Sequence, residues 1–197
     1  MAFINEQNKE INCKVVYYGP GRSGKSTSLR YIYQNIKEEK RGELISLSNT
    51  KDRTLYFDFV PLELGNYKNF QVRLHLYTVP GDVAYEAARK IISKGIDGVV
   101  FMADSQLEQL ESNMKSMLEL TEMLEDQGSD FTTLPMVIQY NKRDLPNAVP
   151  VAELKRLLNP RNVPDFETTA TEGKGVFESL KAIGTQVLKS LRSEQFS

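Results

Sequence analysis

Eight consecutive residues, Gly19-Pro20-Gly21-Arg22-Ser23-Gly24-Lys25-Ser26, fit the pattern G-x-x-x-x-G-K-[ST]. The chemistry this spacing suits is the holding of phosphate. A Gly-rich loop can turn its backbone N–H groups inward around phosphate oxygens, and a following helix adds the positive end of its dipole. Lys25 supplies a mobile cation for the β- and γ-phosphates, and Ser26 a hydroxyl for Mg2+. Thr27 follows directly and completes the candidate phosphate-binding set.

Such a loop works only between a strand and a helix. Ile11 to Tyr18 is β-branched and aromatic, which predicts the strand. Leu29, Ile32, Tyr33 and Ile36 recur at helical spacing just downstream.

A second group lies far along the chain. Asn141-Lys142-Arg143-Asp144 follows the apolar stretch Pro135 to Tyr140 and reads N-K-x-D. It resembles the guanine-reading motif of Ras-like GTPases. The Asp144 carboxylate can accept from both N1–H and the exocyclic amine of guanine. Adenine lacks that donor pair and would leave the charge desolvated and unpaired. Asn141 can meet the opposite edge of the base, and the Lys142 stem can cover the ring. Thr169-Ala170-Thr171 stands where Ras-like proteins carry S-A-K, with Thr171 in place of lysine. Its backbone N–H groups remain available to the guanine carbonyl.

The rest of the chain alternates strands and helices. That predicts an α/β fold of three layers: a mostly parallel sheet with one antiparallel edge strand and helices on both faces. Leu44 to Ser48 and Thr54 to Leu62 read as extended, and Phe70 to Tyr77 alternates like a strand after a turn at Tyr67-Lys68-Asn69. Helices are expected at Val83 to Lys94, Gln106 to Gln127, Val151 to Leu158 and Gly175 to Leu191. In the second of these the expected apolar stripe is Leu107, Leu110, Met114, Met117, Leu118 and Leu124, with its methionines filling the core. Asp97 to Ala103, Pro135 to Tyr140 and Asp165 to Thr168 are the remaining expected strands, and His75 is expected to have a structural role within its strand.

Composition narrows the function. A chain of 197 residues with 40% hydrophobic and 26% charged residues is expected to form one domain, spanning residues 1–197. The net charge of −1 supports neither a nucleic-acid partner nor an anionic membrane surface. One cysteine, Cys13, excludes an internal disulfide and fits a reducing cytoplasm. No apolar run reaches membrane-spanning length, and the sequence has no signal-peptide core, no myristoylation glycine and no C-a-a-X cysteine.

Several longer segments are similar to the MglA group of bacterial Ras-like GTPases. They include Val15 to Gly21, Arg53 to Phe59, His75 to Gly81, Asp97 to Ser105, Gln139 to Pro146 and Ala170 to Phe177. The resemblance implies a GTP/GDP switch that works with Mg2+. Its GTP form gathers at a cell pole and directs effectors of gliding or type IV pili. It also implies an MglB-like roadblock activator and an exchange factor. By the same resemblance Thr54 coordinates Mg2+ when the γ-phosphate is present, and Arg53 is an arginine finger supplied by the GTPase itself. Thr78-Val79-Pro80-Gly81 stands where typical Ras-like proteins have D-x-x-G, a substitution the group shares, and Asp58 is a candidate for the missing aspartate's water contact.

Asp82 departs from the group, which has glutamine after Gly81 to orient the attacking water. Ionised aspartate offers only acceptors and a shorter reach. Hydrolysis is therefore expected to be weak. Gly21 is expected to leave space beside the γ-phosphate. The catalytic candidates are Arg53, Asp82, Gly21 and Lys25. The alternatives are a GTP-held interaction module with negligible turnover, and a P-loop ATPase or small-molecule kinase.

Overall fold

A computed structural model of the chain describes residues 3–48, 55–81 and 85–194. In chain order its elements are β1 (Phe3–Asn5), β2 (Glu10–Tyr18), α1 (Lys25–Asn35), β3 (Ile45–Ser48), β4 (Leu55–Tyr67), β5 (Phe70–Thr78), α2 (Glu86–Ile92), β6 (Gly98–Asp104), α3 (Leu110–Asp126), β7 (Met136–Asn141), α4 (Val151–Leu158), β8 (Asp165–Glu167) and α5 (Val176–Glu194). The strands form one sheet in the order β3-β4-β5-β2-β6-β7-β8, with β1 paired to β2.

Pairings among β5, β2, β6, β7 and β8 are all parallel. β4 runs against β5, as expected of the antiparallel strand, but β3 pairs outside it and takes the edge. β1 adds a pairing the sequence reading did not anticipate. It lies antiparallel to Glu10–Asn12, below the segment Val15–Tyr18 that pairs with β6.

Alternation along β2 sends Cys13, Val15 and Tyr17 to a core shared with Leu29 and Ile32 of α1 and Val176, Ile183 and Val187 of α5. Val16 and Tyr18 face the opposite core, with Leu120 and Leu124 of α3 and Leu154 of α4. Each such side chain contributes about 1.5–3 kcal/mol when fully buried. The central strands β6 and β7 are buried at every position, which explains their mostly apolar sequence, broken only by Gln139 and by Asp104 and Asn141 at their carboxyl ends. Cys13 lies in this interior, and burial, reinforced by the Asp97 charge, pushes its thiol up to about 12.

One face was misjudged from sequence. Helix α3 buries Asn113, Ser116, Leu120, Met123 and Leu124. Leu107, Met114 and Leu118, expected in the stripe, are 60%, 42% and 58% exposed. Met114, Met117 and Leu118 line an open groove with Phe131 and Leu157 instead. The physical reason lies at the helix start. Asn113 accepts from the Asp104 N–H at 2.9 Å and donates to the Asp104 carbonyl at 2.7 Å. A polar residue rather than a large hydrophobe ties this turn to the end of β6.

Candidate functional site

The chain leaves β2 toward the β5 side of the sheet and later returns to β6 on its other side. Open α/β sheets bind ligands outside the carboxyl ends of their strands at such a reversal. The phosphate-loop motif lies there: residues 19–24 join β2 to α1, and Lys25 and Ser26 open the helix. Thr78, Asp104, Asn141 and Thr168 come from the carboxyl ends of the neighbouring strands.

Lys25 opens α1 and is buried, with its Nζ donating to the carbonyls of Gly19 at 2.8 Å and Pro20 at 2.7 Å. Burial, and secondarily the Arg89 charge, pushes its ammonium down to about 7. The first turn of α1 has no side-chain cap and no acidic residue, so its N–H groups face the loop. Gly24 caps that turn with φ 107°, and a Cβ there would lie 2.2 Å from Asn141 Nδ2. Both conformation and contact exclude a side chain. Ser26 is half-buried, and Arg22 and Thr27 are exposed. Ser23 is buried.

Asn141 joins three segments. Its Nδ2 donates to the Ser23 carbonyl at 2.7 Å. Its Oδ1 accepts from the Ala170 N–H at 2.9 Å and the Thr168 hydroxyl at 3.2 Å. The phosphate loop and the loop holding Thr169, Ala170 and Thr171 are thereby fixed to the end of β7. Thr169 N–H donates to the Lys174 carbonyl at 3.1 Å, closing that second loop. Thr169 and Ala170 are buried, and Thr171 is exposed. Arg143 locks the turn from below, donating to Glu167 at 3.1 Å and to the Val149 carbonyl at 2.6 Å. Asp144 is exposed and makes no side-chain hydrogen bond or ion pair with another described residue. A carboxylate is thus presented on a rigid support.

On the other flank Gly81 packs directly on the phosphate loop. A Cβ at Gly81 would lie 2.3 Å from the Gly21 nitrogen, whereas one at Gly21 meets Gly81 at an ordinary 3.7 Å. Below Gly81, Thr78 Oγ1 accepts from the Asp58 N–H at 2.7 Å and donates to Asp58 Oδ2 at 3.3 Å. Ser46 donates to Asp58 Oδ1. Each Asp58 oxygen therefore accepts a hydroxyl in a buried position. Arg53, Thr54 and Asp82 lie outside the described residues.

The sequence reading assigned no role to Asp104, Asn113 or Arg89. Asp104 is buried and pairs with the Lys142 ammonium at 2.5 Å. Arg89 of α2 is also buried and pairs with Glu119 of α3 at 3.5 Å. Asp104 had a usable signal: it ends an apolar strand at the edge where parallel sheets place their sites.

Comparison with known proteins agrees with this geometry. The ADP-ribosylation factor family, Arf, matches residues 1–187. The mutual gliding-motility protein MglA of Myxococcus xanthus (strain DK1622) is 56% identical over 192 residues, 98% of each chain. The chain belongs to the MglA-like small GTPases. More distant relatives share 26% identity with it. They include ADP-ribosylation factor-like protein 4C of Homo sapiens, over 147 residues and 71% of this chain against 74% of its own. Ypt/Rab-type GTPase Rab7 of Neurospora crassa matches over 198 residues, 96% of this chain and 88% of its own. As a small GTPase the MglA-like chain binds guanine nucleotide. No described helix is long and apolar enough to cross a membrane.

The residues at the sheet edge fit that ligand. Gly24 and Gly81 leave a cradle that a Cβ would fill, Lys25 adds a cation, and Asp144 presents an open acceptor. Among the described residues no group of three His, Cys, Asp or Glu forms a metal cage. Hydroxyls such as that of Ser26, together with nucleotide oxygens, suit Mg2+ at this edge.

Proposed function

We propose that the chain is a GTP-dependent switch within a single G domain, controlling cell polarity and surface motility from the cytoplasm. The observation that carries the nucleotide reading is the Asn141 clamp, which ties the phosphate loop at Ser23 to the loop at Ala170 and sets Asp144 beside them. The motility reading is supported by the 56% identity to a protein named for gliding motility. Its GTP form would gather at a cell pole and engage polarity or motility effectors. An MglB-like roadblock activator and an exchange factor would govern its cycle.

Within the site, Lys25 and the N–H groups of Gly19 and of Gly21 to Thr27 hold the phosphates, with Pro20 shaping the loop, and Asn141, Lys142, Asp144 and Thr169 to Thr171 hold the base. Ser26 and Thr54 would hold Mg2+, which would offset the negative charge of the phosphates. Gly21 and Gly81 leave the γ-phosphate side uncrowded. Arg53 would enter as the internal arginine finger, a cation worth roughly 10³–10⁵ in rate.

Asp82 favours a second reading, a GTP-held module with slow turnover. An ionised aspartate in place of the family's glutamine would add negative charge toward an anionic γ-phosphate and could not donate to an attacking water. Single-turnover hydrolysis of the native chain and Asp82→Gln, each with a competent activator, separates the readings. A rise of at least about tenfold in Asp82→Gln supports slow native turnover. Equal rates sink it and leave the cycling switch.

A further inference from the structure

We propose that Asp104 is a positioning residue for nucleotide retention, acting through Lys142. The inference rests on the guanine-site reading of Asn141 to Asp144 and assigns the support that reading lacks.

Lys142 follows directly on β7 with φ 66°, a left-handed conformation uncommon outside glycine. Its side chain is anchored at the far end. The ammonium lies 2.5 Å from Asp104 Oδ2 and 3.3 Å from Gln106 Oε1. Asp104 stands opposite Asn141 in the β6–β7 register, so the lysine stem spans from one strand end to the next. A four-carbon chain held at both ends presents an apolar surface at the guanine loop.

The anchor is itself immobile. Asp104 is 2% exposed, and its Oδ1 accepts the Gln106 N–H at 3.1 Å. Asn113 holds its backbone on both sides, at 2.9 Å and 2.7 Å. Lysine in solution loses much rotamer freedom when a base must order its stem. Here Asp104 removes that freedom beforehand, which slows release of whatever rests on the stem. Asn113 extends the chain of contacts to α3, whose Ser116 and Glu119, with Gln109 just before the helix, share a cavity with Gly21 and Gly81. The base platform and the γ-phosphate side are thus held by the same helix.

Release of fluorescently labelled GDP from Mg2+-loaded protein tests this. Asp104→Asn keeps the shape and the acceptor for Gln106 but removes the charge that holds the ammonium. The expected result is release about tenfold faster for Asp104→Asn and for Lys142→Met, with the double variant no faster than Lys142→Met. Release within twofold of native in Asp104→Asn overturns the proposal, as do single effects that multiply in the double variant, the mark of a purely structural loss. Should Asp104→Asn not fold, the double variant is compared with Lys142→Met alone: rates within twofold support the proposal, and further acceleration overturns it. Asp144→Asn separates the two levels. If it leaves GDP release unchanged, the guanine-site reading fails. If it accelerates release and Asp104→Asn does not, only the role of Asp104 fails.

Discussion

Replacing Asn141 with alanine removes one amide that serves three chain segments. The Ser23 carbonyl loses its donor at 2.7 Å and the Ala170 N–H loses its acceptor at 2.9 Å, and both residues are buried. An orphaned buried group costs about 1–3 kcal/mol, so the two together cost about 2–6 kcal/mol before water enters the vacated space. With part of that recovered, about 2–4 kcal/mol remains. At 1.4 kcal/mol per factor of ten, nucleotide release should accelerate by about 30- to 1000-fold. Asparagine-to-aspartate is the sharper companion. It keeps Oδ1 for Ala170 but turns the donor toward Ser23 into a second acceptor, so it should be no milder than alanine. Stopped-flow release of labelled GDP measures both. Release within threefold of native in Asn141→Ala would refute the reasoning, because the clamp would then contribute nothing to holding the loops for the ligand.

Other expectations follow from the same geometry. Gly21→Val should retain nucleotide, as titration would register, because a Cβ there meets Gly81 at an ordinary 3.7 Å, yet lose any hydrolysis, because the branched side chain would crowd the γ-phosphate. Gly81→Ala should disturb the loop even in the resting protein, since its Cβ would lie 2.3 Å from Gly21 N. A lowered melting temperature with weakened GTP binding is the expected result. Lys25 sets a pH dependence. Its folded value of about 7 lies below the ordinary 10.5, so the penalty for burying the ammonium is full below about pH 7 and is relieved as pH rises from there toward 10.5. Phosphate needs the charged form, so the apparent affinity for GDP should fall about 15-fold between pH 7 and 8.5, above the terminal phosphate's last ionisation. A flat titration curve across that window contradicts the burial argument.

Much of the frame was legible because its signals are local. The buried runs of β6 and β7, the start and stop of α4 at Val151 and Leu158, and the buried face of α5 through Val176, Leu180, Ile183 and Val187 are all carried by short-range pattern. The phosphate loop and N-K-x-D motif were equally plain, since glycine spacing and a terminal carboxylate have few other uses. Helix α3 was not legible in this way. Periodicity marks hydrophobic residues, but the buried face begins with the polar Asn113, which bonds the Asp104 backbone, and Ser116. The Asn141 clamp was hidden for a related reason. Its partners, Ser23 and Ala170, lie far away in sequence, and backbone groups leave no trace in residue type. The same holds for β1, whose three residues pair only because β6 leaves the lower part of β2 open.

The central claim is that one rigid edge of the sheet holds a guanine nucleotide. The most direct test is to release and identify the nucleotide carried by gently purified protein, then compete it with GTP, GDP and ATP. The account predicts near-stoichiometric GDP or GTP, displaced by either guanine nucleotide and left in place by ATP at the same concentration. Protein that carries adenine nucleotide, or releases its ligand to ATP as readily as to GTP, would contradict it.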